Sequence, residues 1–217
     1  MRPTGTTIVV ATQNKGKVRE FSHAFDKLGI TVRSMFDYPE LPEIIEDGAT
    51  FAENARIKAK VVGDALQLPV LADDSGLCVD ALEGAPGIYS ARYAGIGAQD
   101  EDNNAKLLRE LAAHGSELEL DEPVHGQPPE HVKLLSAARF RCALALYDPA
   151  AAVFYESEGQ VEGWILDHPA GAGGFGYDPL FWLPSYGRTM AEISKDEKQL
   201  ISHRGQALSS LISMLER

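Results

Sequence analysis

Apolar and polar positions alternate along this chain in two rhythms. "TTIVVA", Thr6 to Ala11, is β-branched, apolar and bounded by polar residues. That pattern predicts a buried strand. After "TQNKGK" the rhythm changes: Val18, Phe21, Phe25 and Leu28 recur at helical spacing, and Gly29 stands where a helix ends. A second helix opens at the capping box Thr50-x-x-Glu53, with Phe51, Ala55, Val62 and Ala65 as its apolar stripe. "VLADDSGLCVDAL", Val70 to Leu82, is an extended apolar run holding two adjacent acids. A third helix begins near Asp100–Asp102, carries Ala105, Leu108, Leu111 and Ala112, and stops at Gly115. Residues 116–137 lack periodicity and read as a surface insertion. "ARFRCALALYD" alternates Phe140, Cys142, Leu144 and Leu146 against Arg139 and Arg141. "AAVFYESEGQVEGWI" supplies its antiparallel partner across "DPAA". The tail holds two helical pieces, with a second capping box at Ser194-x-x-Glu197 and a stripe of Leu208, Leu211, Ile212 and Leu215.

Composition narrows the function. A length of 217 residues and a hydrophobic fraction of 44% suit a single folded domain over 1–217. The net charge of -12 opposes binding to nucleic acid or to an anionic membrane. No apolar run reaches the length of a bilayer span, and "MRPTGTTIVVAT" does not read as a signal peptide. Cys78 and Cys142 read as free thiols in a reducing, cytoplasmic setting. His125 and His131, six apart among prolines, lack the ligands of a zinc site.

An acidic protein can still hold a small polyanion in a local basic pocket. Thr12, Asn14, Lys15 and Lys17 gather at a helix start, where free N–H groups and the helix dipole favour anions. The loop is no P-loop, because G-x-x-x-x-G-K-[ST] is absent; an ordinary capped turn is the alternative. Lys58 falls on the apolar stripe, four residues after Asn54. An inward lysine needs an anion, whereas one at the stripe edge would snorkel. Glu46 and Asp47 either form a solvated loop or reach a metal. Asp73 and Asp74 pose the sharper question, because a buried carboxylate must meet a cation, a metal or a donor. In an extended run the two point to opposite sides, and Ser75-Gly76 predicts a turn there. "AGAGGFGYDPLFWLP" suits close backbone approach to a ligand, and Lys198, His203 and Arg204 add late cationic groups. Such a set fits metal-assisted phosphoryl chemistry.

"TQNKGK", "DDSGLCVDALEGAPGIYSARYAG", "GGFGYDPLF" and "EKQLISHRGQAL" together resemble the inosine/xanthosine triphosphate pyrophosphatase family. The resemblance runs from about Ile8 to the C-terminus, apart from the long 116–137 stretch. It implies an α/β fold: a long twisted mixed central sheet flanked by helices, in two lobes with a substrate cleft between them. It implies Mg²⁺-dependent hydrolysis of dITP, ITP and XTP to nucleoside monophosphate and pyrophosphate, and a homodimer. Carried over by motif, Thr12, Gln13, Asn14, Lys15, Gly16 and Lys17 line the triphosphate, and Lys58 joins them. Asp74 is the catalytic carboxylate and a metal ligand, Glu46 is a second metal residue, and Ser75 touches substrate. Phe175, Gly176, Tyr177 and Asp178 form the base-side loop, with Phe175 a stacking partner; Lys198, His203 and Arg204 complete the nucleotide site. Gln13 stands where the family commonly has Gly. Asp73 is the supporting neighbour of Asp74, and the role of Arg92 stays open.

Overall fold

The computed structural model describes residues 7–26, 28–119, 126–129 and 131–216. In chain order the elements are β1 (Thr7–Val10), α1 (Lys15–Asp26), β2 (Thr31–Ser34), α2 (Phe51–Leu66), β3 (Val70–Val79) and α3 (Asp100–His114). Then follow β4 (Leu134–Asp148), β5 (Val153–Leu166), β6 (Phe181–Leu183), β7 (Arg188–Thr189), α4 (Lys195–Ile201) and α5 (His203–Leu215). The strands form one seven-stranded sheet in the order β2-β1-β3-β4-β5-β6-β7. β1 runs parallel to β2 and β3, while β6 is antiparallel to β5 and β7, so the sheet is mixed. Such a sheet with flanking helices is the α/β architecture expected.

The chain divides into two compact units: Met1–Asp74, Cys142–Gly159 and Arg204–Arg217 in the first, Ser75–Arg141 and Gln160–His203 in the second. Each has its own apolar core. The first packs Phe21 and Phe25 of α1, Ile8 and Val10 of β1, Leu144 and Leu146 of β4, and Leu208 and Leu211 of α5. The second packs Leu77 and Val79 of β3, Leu107 and Leu111 of α3, Phe140, Ile165 and Phe181.

Local signals explain the helix ends. The Thr50 hydroxyl accepts the Glu53 N–H at 3.1 Å, and the Glu53 carboxylate returns the favour to the Thr50 N–H at 3.2 Å. Ser194 and Glu197 repeat the arrangement at α4. Gly115 ends α3 at φ 64°, a conformation glycine adopts freely.

Several expectations shift. α1 ends at Asp26, so Leu28 lies beyond it and is 36% exposed; Phe21, Ala24 and Phe25 carry the buried face. On α2 the buried stripe takes in Lys58 and Ala59, and Ala65 is exposed. On α3 the buried positions are Asn103, Leu107 and Leu111, and Ala105 and Ala112 face solvent. β3 runs straight through Ser75-Gly76 with no turn. Gly76 is there for space: a Cβ at that position would lie 2.4 Å from both the Gly87 carbonyl oxygen and Ser90 Oγ. The alternation in β4 also holds only at first. From Cys142 to Asp148 both faces are buried, as for a strand covered on both sides. β4 begins at Leu134, so the end of the 116–137 stretch is strand, and His125 lies outside the described residues.

Candidate active site

The first unit gathers the acid pair and its cations. Asp73 is 1% exposed. Lys17 Nζ donates to one of its oxygens at 2.6 Å, and Arg204 Nε donates to the other at 2.6 Å. The buried Cys142 thiol lies 3.5 Å from that second oxygen. Burial alone would push the Asp73 carboxyl up; Arg204 and Lys17 overcome this and hold it well below the usual carboxylate range. Arg204, itself 3% exposed, gives Nη1 to Glu20 at 2.8 Å. Asp73 is therefore a structural acid, and it holds an arginine as well as a lysine.

Asp74 keeps different company. Asn54 Nδ2 donates to Oδ2 at 3.1 Å, and Lys58 Nζ to Oδ1 at 3.2 Å. The same ammonium donates to Glu46 Oε2 at 3.2 Å. Lys58 is 7% exposed, so the inward lysine is real, and it bridges two carboxylates. Asn54 also accepts the Gly48 N–H at 2.9 Å. One amide thus ties the segment after Glu46 to the strand carrying Asp74. Burial raises the Asp74 carboxyl above its ordinary value, with Lys58 and Asn54 pulling the other way. A carboxylate tuned upward can accept a proton near neutral pH more readily than an ordinary aspartate.

The helix-start loop differs in one respect from the expected open anion site. Asn14 Oδ1 accepts the N–H groups of Gly16 at 2.8 Å and Lys17 at 3.1 Å, and Thr12 Oγ1 accepts the Asn14 N–H at 3.1 Å. Those amides are satisfied within the chain. Gln13 and Lys15 are exposed, and Lys17 is half-buried against Asp73. The ion pairs of this unit set Lys17, Lys58 and Arg204 against Glu20, Glu46, Asp73 and Asp74. Three cations face four carboxylates, so a polyphosphate finds no net positive charge. A divalent cation would supply it. Glu46 and Asp74 converge on one ammonium within 3.2 Å. That oxygen pair fits Mg²⁺, which takes one or two carboxylates plus substrate phosphates.

The second unit holds the base-side loop. Lys198 Nζ donates to Asp178 Oδ2 at 2.5 Å and lies 4.7 Å from the centre of the Phe175 ring. Asp178 Oδ2 also accepts the Phe175 N–H at 2.9 Å. Asp178 and Lys198 are 3% and 8% exposed, and Phe175 is half-buried. From α3, Asp100 accepts the Gly176 N–H at 2.6 Å and Asn104 donates to the Gly176 carbonyl at 3.1 Å. The His203 ring, 5% exposed, stacks on Phe140 with centroids 4.9 Å apart. Ser75 is half-buried on β3. Among the described residues no group of three or more His, Cys, Asp or Glu could hold a metal alone.

Glu20 and Cys142 carry no local signal for this cluster: Glu20 lies 184 positions from Arg204, and Cys142 lies 69 from Asp73. Asp100 and Asn104 were equally silent, because their partner Gly176 is over 70 positions away.

A mixed sheet with helices, a paired acid motif held by lysines and a glycine-aromatic loop define an α/β protein of nucleotide-handling type. The chain belongs to the Ham1 family, whose pattern matches residues 8–214. It is 50% identical over 206 residues to a Geobacter sulfurreducens protein named dITP/XTP pyrophosphatase, covering 95% of this chain and 94% of that one. A Geobacillus kaustophilus protein of the same name is 49% identical, covering 94% and 91%. Among solved structures, a HAM1 protein from Coxiella burnetii matches with TM-score 0.80 and 39% identity, covering 97% of this chain and 98% of that one. The Staphylococcus aureus Ham1 protein matches with TM-score 0.79 and 38% identity, over the same shares.

Proposed function

We propose that this chain hydrolyses deaminated purine nucleoside triphosphates, dITP, ITP and XTP, to the monophosphate and pyrophosphate. The names of its relatives support the activity. One observation carries the site: the upward-tuned Asp74 carboxylate shares the Lys58 ammonium with Glu46. Glu46 and Asp74 would hold Mg²⁺, which when bound would neutralise the triphosphate and polarise a water. Asp74 orients a water and accepts its proton as the water oxygen attacks the α phosphorus. The α–β phosphoanhydride bond breaks, and pyrophosphate leaves with the electron pair. Lys15, Lys17 and the Thr12–Asn14 turn contact the phosphates.

The second unit recognises the base. Phe175 stacks on the purine, and Lys198, held by Asp178, lies over the Phe175 ring. His203 and backbone N–H groups donate to the oxygen at position 6. Adenine presents an amino donor there, so donor faces donor. A mismatched polar site discriminates by about 10⁴-fold. Arg204 completes the nucleotide site, and with Nε on Asp73 and Nη1 on Glu20 it also braces Asp73. The same reading includes a homodimer working in the cytoplasm, away from nucleic acid and membrane; among the described residues no helix is long and apolar enough to cross a bilayer.

A panel of nucleoside triphosphates with Mg²⁺ tests this. Pyrophosphate release from dITP and XTP, with little from ATP, is expected. Orthophosphate as the product, or equal turnover of ATP, overturns it.

A further inference from the structure

The segment "EGAPGIYSARYAG" has no part in the chemistry above, yet it sits at a junction. Its short 3-10 helix, Gly87–Arg92, contains Ser90, which is 6% exposed. The Ser90 hydroxyl donates to the Gly87 carbonyl at 2.6 Å and accepts the Leu77 N–H at 2.9 Å. Leu77 lies three residues past Asp74 on β3. The Ser90 carbonyl accepts the Tyr177 hydroxyl at 2.9 Å, and Tyr177 belongs to the base-side loop. One residue therefore holds the strand leaving the acid pair by its side chain and the base loop by its backbone.

There is no slack on either side. On the strand, Gly76 leaves no space for even a methyl group against Gly87 and Ser90. On the loop, Asp100 and Asn104 clasp Gly176 from both its N–H and its carbonyl, and Asp178 takes the Phe175 N–H. Tyr177 is 4% exposed, and burial pushes its phenol up, so the hydroxyl stays a donor throughout the working pH range. Letting go of either bond strands a buried polar group. Displacement at Phe175 must then pass to Tyr177, to Ser90 and to Leu77, because packed interiors transmit small shifts.

We propose that Ser90 and Tyr177 are positioning residues that tie the base-side loop to strand β3 just beyond Asp74, so that purine identity is read in turnover as well as in affinity. This rests on the function proposed above and adds a route by which the base acts on the catalytic carboxylate.

Steady-state kinetics of wild type, Tyr177→Phe, Ser90→Ala and the double variant, on dITP and ATP with Mg²⁺, test it. The dITP-to-ATP ratio of kcat is expected to fall about tenfold in each single variant, as loss of one buried hydrogen bond allows. KM for dITP is expected to stay within about threefold, and the double variant to match the worse single one. Ratios within about twofold of wild type, changes confined to KM, or additive losses overturn the link. A second measurement needs no variant to fold well. In wild type, a non-hydrolysable inosine triphosphate analogue should slow amide hydrogen exchange at Leu77, and pyrophosphate alone should not. Equal protection by both, or none by the analogue, overturns it. A wild type that releases no pyrophosphate from dITP would instead sink the proposed function.

Discussion

Asp73 and Asp74, consecutive along β3, hold different cations. Asp73 carries Lys17 and Arg204, each at 2.6 Å, and Asp74 carries Lys58 at 3.2 Å. An extended strand sends neighbouring side chains to opposite faces, and the absence of a turn at Ser75-Gly76 preserves that separation. One acid is locked by charge, and the other is left tunable.

Replacing Asp74 by Asn should remove the proton acceptor. Pyrophosphate release from dITP is expected to fall at least about 100-fold. The folded protein should not suffer: burial already disfavours the Asp74 anion. Calorimetry is expected to give a melting temperature equal to or above that of wild type.

Asp73→Asn should do the reverse to stability. It leaves the Arg204 and Lys17 cations without their buried carboxylate, a change that costs about 3–5 kcal/mol. For a chain of this size the melting temperature should drop by about 10 °C. Urea unfolding and calorimetry check the two numbers against each other.

The same residue sets a pH dependence with a definite sign. The Asp73 carboxyl binds its proton less readily folded than unfolded. Its stabilisation is complete above the ordinary aspartate range and is lost as pH falls below about 4. The gap between the urea midpoints of wild type and Asp73→Asn should be constant from pH 8 to about 5 and close below that.

Lys58→Met leaves Glu46 and Asp74 facing each other with no ammonium between them. Turnover is expected to fall about 100-fold through loss of a placed charge. Mg²⁺ should raise the melting temperature of this variant more than that of wild type, because the cation no longer competes with an internal one. An equal Mg²⁺ shift in both proteins would show that the pair does not take up the metal.

Gly76→Ala forces a methyl group to within 2.4 Å of Gly87 and Ser90. Overpacking of this kind costs about 1–3 kcal/mol. Thermal melts should show a loss of several degrees, while Gly84→Ala, which meets no atom within 4 Å and is strained only by its φ of 91°, offers a comparison free of the clash.

What the sequence reveals follows how locally each feature is encoded. The capping boxes at Thr50 and Ser194 span three residues and are legible at once. Lys58 is legible because a lysine on an apolar stripe breaks the pattern. Gly76 is misread as a turn, because the reason for glycine lies at Gly87 and Ser90, on another segment. The α3 face is legible in part: Leu111 is buried and Leu108 packs against the core around Leu77 and Phe181, while Ala105 and Ala112 are exposed and the central position falls to Leu107. Arg204 reads as a base ligand by motif; its links to Asp73 and Glu20 are long-range contacts that no spacing rule encodes.

The excess of carboxylates over cations around the acid pair has a kinetic corollary. That cluster offers no positive charge on a chain whose net charge is -12. A nucleoside triphosphate therefore diffuses toward it through a repulsive field. Added salt screens that field over roughly 8–10 Å at moderate ionic strength. Capture of the substrate should then quicken as salt rises, the opposite of the slowing seen where a basic surface steers its anion home.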